Sequence, residues 1–250
     1  MSHTNQCGFF YSLPFKRYQK LPGLNQSKLK QLLTSPSKKK QGYQIQQAMN
    51  FGNAGHCLLL EPHKFEELYV SAPKGLSRRG KNGRKSWEEF CELHSGKNVL
   101  AATEWEQLQK IRKVFHINPK IMKFWKHGET EVSMFWDDAE LDLDCKARMD
   151  WYDADSMKIV DLKFTSSIGK LCNQKLLDQH FSVQAAWYRR GVYKLTGNAC
   201  DFLFIFIEKY SPHIIRVIKD NEEIIRHGEQ AILSAIKDAA TKYDGKSQTS

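Results

Sequence analysis

The sequence predicts an α/β fold: a helical first half, then meandering strands, a long helix and further strand. Three patterns predict it. Leu141, Leu143, Cys145, Ala147 and Met149 alternate with Asp142, Asp144, Lys146, Arg148 and Asp150, the period of two of a half-buried strand. Phe202 to Ile207 is continuously apolar, as a strand buried on both faces would be. Ahead of both, apolar residues recur at helical spacing, for example Leu108, Ile111 and Phe115.

In chain order, residues 1–22 read as irregular. Asn25 or Ser27 then caps a short helix with Leu29, Leu32 and Leu33 as its stripe, ended by Ser35-Pro36-Ser37. A second helix runs from about 43 to 60 and stops at Glu61-Pro62, with Ile45, Met49, Gly52, His56 and Leu59 facing inward. Gly75, Gly80 and Gly83 among six cations make 74–85 an exposed flexible loop, followed by a helix near 85–94. Thr103 and Glu106 read as a capping box before Trp105, and Pro119 opens another short helix. Strands follow at 131–136, 141–150 and 158–164, the last two joined by the turn Asp153-Ala154-Asp155-Ser156. A long helix covers about 171–195, a strand 213–218 follows Tyr210-Ser211-Pro212, and a final helix spans about 221–242 before a frayed tail. With neither repeat nor linker, 1–250 reads as one domain: a mainly helical basic region (1–127), the sheet and long helix (128–220), and a C-terminal helix and tail (221–250).

Composition narrows the function. The chain has 250 residues, 41% of them hydrophobic, enough for one sizeable core. No apolar stretch reaches the length of a membrane span, and no secretory signal opens the chain. The six cysteines are scattered without a CxxC pair, which fits reduced cytosolic thiols. The net charge is +10, unevenly spread. Residues 1–60 hold eight Lys/Arg and no acid, and 74–85 add Lys74, Arg78, Arg79, Lys81, Arg84 and Lys85. Such asymmetry suggests a polyanion met by the N-terminal region and one loop; its plainer meaning is a solubilising surface. The six Trp lie mostly at periodic apolar positions, as core residues would.

The chemistry concentrates in Lys158-Ile159-Val160-Asp161-Leu162-Lys163-Phe164. Residues two apart in a strand share a face, so Asp161 and Lys163 project together. A carboxylate beside an ammonium in an apolar strand is costly to bury without a use. Asp150 ends the preceding strand, so the two carboxylates can share a hard divalent cation, with the Leu162 carbonyl a further ligand. Lys163 is placed to position or activate a water, or else forms a plain cross-strand ion pair with Asp161. Gly52 and His56, four apart, share a helix face, with Gly52 permitting close backbone approach; His56 is either a ligand or a satisfied core residue. Gln184 and Tyr188 are again four apart, suited to bind a phosphate or to hold Lys163. Arg148 either touches a phosphate or balances Asp150. The helix start at Ser27, with Lys28 and Lys30 close by, is either an anion site or a plain cap.

GxxxH on a helix, a strand-end Asp, DxK and then QxxxY resembles the RecB-like branch of the PD-(D/E)xK nucleases. The flanks Leu21 to Ser27, Gly52 to Pro62, Glu131 to Trp136 and Lys146 to Asp150 resemble the RecE-type (exonuclease VIII-like) phage exonucleases, over residues 18–220. The resemblance implies a restriction-endonuclease-like core, a central mixed sheet flanked by helices with an N-terminal helical region. It implies His56, Asp150, Asp161 and the Leu162 carbonyl as ligands of Mg²⁺, with Mn²⁺ substituting, and Lys163 as catalytic beside Gln184 and Tyr188. It implies a cytoplasmic exonuclease, in a bacterial cell or phage-infected host, acting on ends of double-stranded DNA. Digestion of the 5′ strand would leave 3′ single strands for an annealing protein or recombinase, and three or four subunits would form a ring. Ser27, Lys28, Arg78, Arg79, Lys81, Arg84 and Arg148 are then the DNA contacts. Two positions depart from the family pattern: Asn53 stands for the usual Thr, and Phe164 for the Thr common after DxK. The cysteines are too dispersed for an Fe–S cluster, and no Walker A loop is present for ATP.

Overall fold

The structure is a computed structural model that describes residues 7–34, 43–169 and 181–247, the side chains of 43–48 and 240–247 excepted. The first half comprises β1 (Gly8–Phe10), α1 (Phe15–Lys20), α2 (Gln26–Leu33), α3 (Tyr43–Leu60), α4 (Pro62–Leu68) and β2 (Tyr69–Ser71). It continues through α5 (Gly80–Leu93), β3 (Asn98–Leu100), α6 (Ala102–Ile117) and α7 (Pro119–Trp125). Then come β4 (Glu129–Asp138), β5 (Leu143–Asp153) and β6 (Lys158–Thr165). The chain closes with α8 (Phe181–Thr196), β7 (Asp201–Glu208), β8 (Ile215–Lys219) and α9 (Glu222–Ser247).

Six strands form one mixed sheet in the order β1-β4-β5-β6-β7-β8, and β2 and β3 pair apart from it in parallel. All neighbours in the large sheet are antiparallel except β6 and β7. Alternation sorts the side chains. Ile159, Phe202, Phe204 and Phe206 belong to one apolar core, with residues of α2, α8 and α9. Val160, Leu162, Ile205 and Ile207 belong to the opposite one, with residues of α3, α4, α6 and α7. The continuous apolar run of β7 is therefore explained by burial on both faces.

β4 and β5 stay paired through their length, but β5 meets β6 only from Trp151↔Val160 to Asp153↔Lys158. Beyond that point the strands part. The Asp150 carboxylate takes the Leu162 N–H at 2.8 Å, a donor that a regular ladder would give to a strand carbonyl. Asp150 also marks a change of phase. Met149 and Tyr152 face one core and Trp151 the other, and Glu131, opposite Asp150, has a φ of +56°. Leu24 occupies the edge that β6 vacates, donating to Asp144 O and accepting from Lys146 N at 2.8 Å each.

Several local expectations shift. Residues 8–20 are ordered as β1 and α1 rather than irregular, because β1 adds an edge strand to β4. Asn25, not Ser27, caps α2, its Oδ1 accepting from Lys28 N at 2.9 Å. The Ser35-Pro36-Ser37 stop and 171–180 of the long helix lie outside the described residues. The stretch 74–85 is loop only to Arg79, and α5 starts at Gly80. Gly83 is a close-approach glycine there: a Cβ would lie 2.8 Å from Ser77 O. The helix that carries Trp105 begins at Ala102, with Ala101 rather than Thr103 at its N-cap. Glu104, not Glu106, reaches back to a backbone N–H, that of Ala101, at 2.8 Å.

Candidate active site

A cavity of about 850 Å³ opens where β5 and β6 part. Helix α3 contributes Gly52, Asn53 and His56; β5 contributes Lys146, Arg148 and Asp150; β6 contributes Leu162, Lys163 and Phe164. Ser27 and Lys28 of α2, Glu131 of β4 and Tyr188 of α8 complete this part of the lining. Asp161 lies behind that surface, 3% exposed, with Gln184 equally buried.

The two carboxylates have separate partners. Asp150 Oδ2 lies 3.3 Å from His56 Nδ1 and accepts from Leu162 N. Asp161 Oδ1 accepts from Gln184 Nε2 at 2.5 Å, and its Oδ2 faces Lys163 Nζ at 2.5 Å. Tyr188 OH donates to Arg148 O at 2.8 Å and Trp187 Nε1 to Lys146 O at 3.1 Å. One face of α8 thus braces both strands across the split: Gln184 holds β6, and Trp187 and Tyr188 hold β5. Gln184 therefore fixes Asp161 rather than Lys163.

The charges shape one another. Burial pushes the Asp161 carboxyl up, Lys163 opposes it, and the charge of Asp150 adds to the rise. Burial works against the Asp150 carboxylate as well, but His56, Lys163 and the Leu162 N–H outweigh it and hold Asp150 below its ordinary value. Burial would lower His56, yet the charge and hydrogen bond of Asp150 raise it. Such opposed shifts among neighbouring groups are typical of functional sites.

The donor chemistry suits a hard divalent cation: two carboxylates, a strand carbonyl at Leu162 and an imidazole border one cleft. Asp161 Oδ2 in addition is buried, ion-paired with Lys163 Nζ but without a hydrogen bond of regular geometry. The grouping is not that of a ready-made site. Among the described residues no three His, Cys, Asp or Glu side chains are clustered to hold a metal ion, and His56 and Asp150 are turned to each other.

Other expected residues fall differently. Gly52 has nothing within 4 Å of a built Cβ; the close approach in that motif belongs to Gly55, against the Phe164 ring. Arg148 does not balance Asp150. It bonds Glu131 Oε2 at 2.5 Å, Ser133 Oγ at 2.7 Å and Leu13 O at 2.8 Å. Arg78, Arg79, Lys81 and Arg84 lie away from this cavity. Two lysines gain weight. Lys146, 2% exposed, donates to Leu21 O at 2.6 Å and Tyr18 O at 3.0 Å, tying the N-terminal segment to β5. Its place with Arg148 and Asp150 in the period of two was the readable signal. Lys30 stands with Lys163 over the Phe181 ring, at 5.9 and 5.7 Å from its centroid. Burial, then the charge of Lys163, pushes the Lys30 ammonium down to about 8.

A mixed sheet that splits over two carboxylates, the second in a DxK strand, with helices on both faces, defines a protein of the PD-(D/E)xK fold. The chain belongs to the family described as "PDDEXK-like domain of unknown function (DUF3799)", whose profile matches residues 24–248. Among solved structures it resembles one from Eubacterium rectale described as a "Putative exonuclease". The TM-score is 0.63 at 16% identity, over 90% of this chain and 87% of that one. At that identity the likeness speaks for the fold. A second structure, SSO0001, also 16% identical, covers 77% of this chain and 87% of its own at a TM-score of 0.31, too low to carry fold information. No curated protein shows significant similarity to the chain. Among the described residues no helix is long and apolar enough to cross a membrane. Family and fold together support a nuclease.

Proposed function

We propose that this protein is a RecE-type, Mg²⁺-dependent exonuclease that digests double-stranded DNA from its ends. The observation that carries the reading is the cleft at the β5–β6 split, where Asp150 and Lys163 line an open cavity with a basic rim and the buried Asp161 holds Lys163 from behind. His56, Asp150, Asp161 and the Leu162 carbonyl would hold the metal, with Mn²⁺ able to replace Mg²⁺. A metal held there would supply charge neutralisation at the phosphate and a lowered pKa for an attacking water. Lys163, fixed by Asp161, orients that water. Gln184 and Tyr188 keep Asp161 and β5 in place. The N-terminus of α2, with Ser27 and Lys28 exposed at the cavity, suits a terminal 5′-phosphate. That feature supports 5′-to-3′ digestion, which leaves a 3′ single strand for an annealing protein or recombinase. A ring of three or four subunits around the duplex completes the reading.

Linear duplex with 5′-phosphates and closed circular duplex, each with Mg²⁺ or EDTA, test it. Loss of the linear form alone, only with Mg²⁺, is expected. Cutting of the circle would point to an endonuclease, and binding without cleavage to a silent DNA-binding module. Arg79, Lys81 and Arg84 are exposed and suit contacts to the DNA backbone. Replacing these three by Gln is expected to lower duplex affinity and flatten its dependence on salt by about 0.9 per lost contact on a log–log plot. An unchanged slope would return these side chains to plain solvation.

A further inference from the structure

Helix α5 is amphipathic by sequence, yet none of its side chains is buried. Arg84, Trp87, Glu88 and Cys91, spaced as one helical face, look into a second cavity of about 440 Å³. That volume lies within the range of small-ligand sites, about 300–1,000 Å³. Arg78 and Lys97 bring its cations to three, against one acid, Glu88. Trp87, which periodicity placed in the core, belongs to neither core cluster. The Arg78 guanidinium lies over its ring, 3.8 Å from the centroid, and 3.8 Å from Glu104 Oε2. An indole beside guanidinium groups is the equipment with which proteins take unpaired bases: the base stacks and the cations meet the phosphates. A base inside a duplex has both faces covered by its neighbours, so only an unpaired one can use the indole.

The cavity adjoins the first. Asn50 of α3 borders it, while Gly52 and Asn53 of the same helix border the catalytic cleft. Asn50 and Asn53 stand about 60° apart around the helix and about 4.5 Å apart along it. One stretch of α3 thus borders both cavities.

We propose that the second cavity binds single-stranded DNA, one unpaired base stacking on Trp87 with flanking phosphates at Arg84 and Lys97. The proposal rests on the nuclease reading and extends it: the site receives the strand that is not cut. Arg84 spends one donor on Gly80 O at 3.4 Å and Lys97 one on Glu66 O at 2.8 Å, which leaves both cations further donors for phosphate. Glu88 suits the amino groups of a base.

The test needs no cleavage. In EDTA, the anisotropy of a labelled oligothymidylate is compared with that of the same backbone made abasic. The full-length protein is expected to prefer the base-bearing strand by about tenfold, the worth of one stacked base. Trp87→Ala should erase that preference, and Trp87→Phe, which keeps an aromatic face, should retain most of it. Equal binding of both strands by the unaltered protein overturns the proposal, as does a preference that survives Trp87→Ala. A base preference through Trp87 in a protein that cuts no DNA with Mg²⁺ would sink the nuclease reading and leave this site standing. Cleavage without the preference would sink this site alone.

Discussion

Replacing Lys163 by Ala is expected to lower cleavage of linear duplex by about 10³-fold or more, with duplex affinity in EDTA nearly unchanged. Proton-transfer and electrostatic groups at a reacting centre are each worth about 10²–10⁴-fold. Lys163 lines the cleft and is fixed by Asp161 at 2.5 Å. Its removal also strips a buried carboxylate of its counter-charge. Breaking a fully buried pair costs about 3–5 kcal/mol. The cost here is smaller, because a quarter of the Lys163 side chain is exposed and Gln184 still donates to Asp161. Burial has already raised the Asp161 carboxyl, so it can take up a proton instead of remaining an unpaired charge. The variant should therefore fold, as thermal melting would show, and fail only in chemistry. Lys163→Arg keeps the charge but replaces a compact ammonium with a planar fork, so a partial loss is expected. Undiminished cleavage by Lys163→Ala would make the Asp161–Lys163 pair structural.

What the sequence made legible was what a period of two can carry. Asp161 and Lys163 share a face because strand geometry is local, and Lys146, Arg148 and Asp150 follow the same rule. The order of the longer helices and strands could be read for the same reason, whereas the mixed sheet between helical layers was implied by the family resemblance and not by the pattern, and the short elements β1, β2, β3, α1 and α4 were not read. What depends on contact between distant segments was not readable. Nothing local marks that Arg148 is committed to Glu131 and Leu13, or that Gln184 supports Asp161 rather than Lys163. Trp87 has the periodicity of a core residue, but the partner surface that periodicity implies is absent from either core. Three glycines and six cations disguised the start of α5, since glycine disfavours a helix and the close approach of Ser77 to Gly83 is tertiary. The chain does not announce the split between β5 and β6 either. At the split a side-chain carboxylate takes a strand N–H, which pattern alone does not show.

The two glycines of the His56 motif should respond in opposite ways. A Cβ at Gly55 would lie 2.2 Å from Phe164 Cζ, whereas a Cβ at Gly52 meets nothing within 4 Å. Phe164 is itself wedged, edge-on to Phe51 with centroids 5.9 Å apart and tilted against His56 at 5.7 Å. Gly55→Ala therefore overpacks the seam between α3 and β6, at about 1–3 kcal/mol. In a chain of this length that lowers the melting temperature by roughly 2–12 °C. Gly52→Ala relieves a poor helix former in open space and should stabilise α3 by a few tenths to about 1 kcal/mol. The strain at Gly55 has one source, so it should be coupled to Phe164. Phe164→Thr, the residue common after DxK in the family this chain resembles, removes the ring. Gly55→Ala combined with Phe164→Thr should then cost at least about 1 kcal/mol less than the two changes summed. Cleavage should follow the same coupling, because a displaced Phe164 ring presses on His56 and moves the strand that carries Lys163. Additive losses in melting and in activity would mean that the ring swings clear of Gly55 at no cost. Phe164 would then be a substitution with no bearing on the helix it touches.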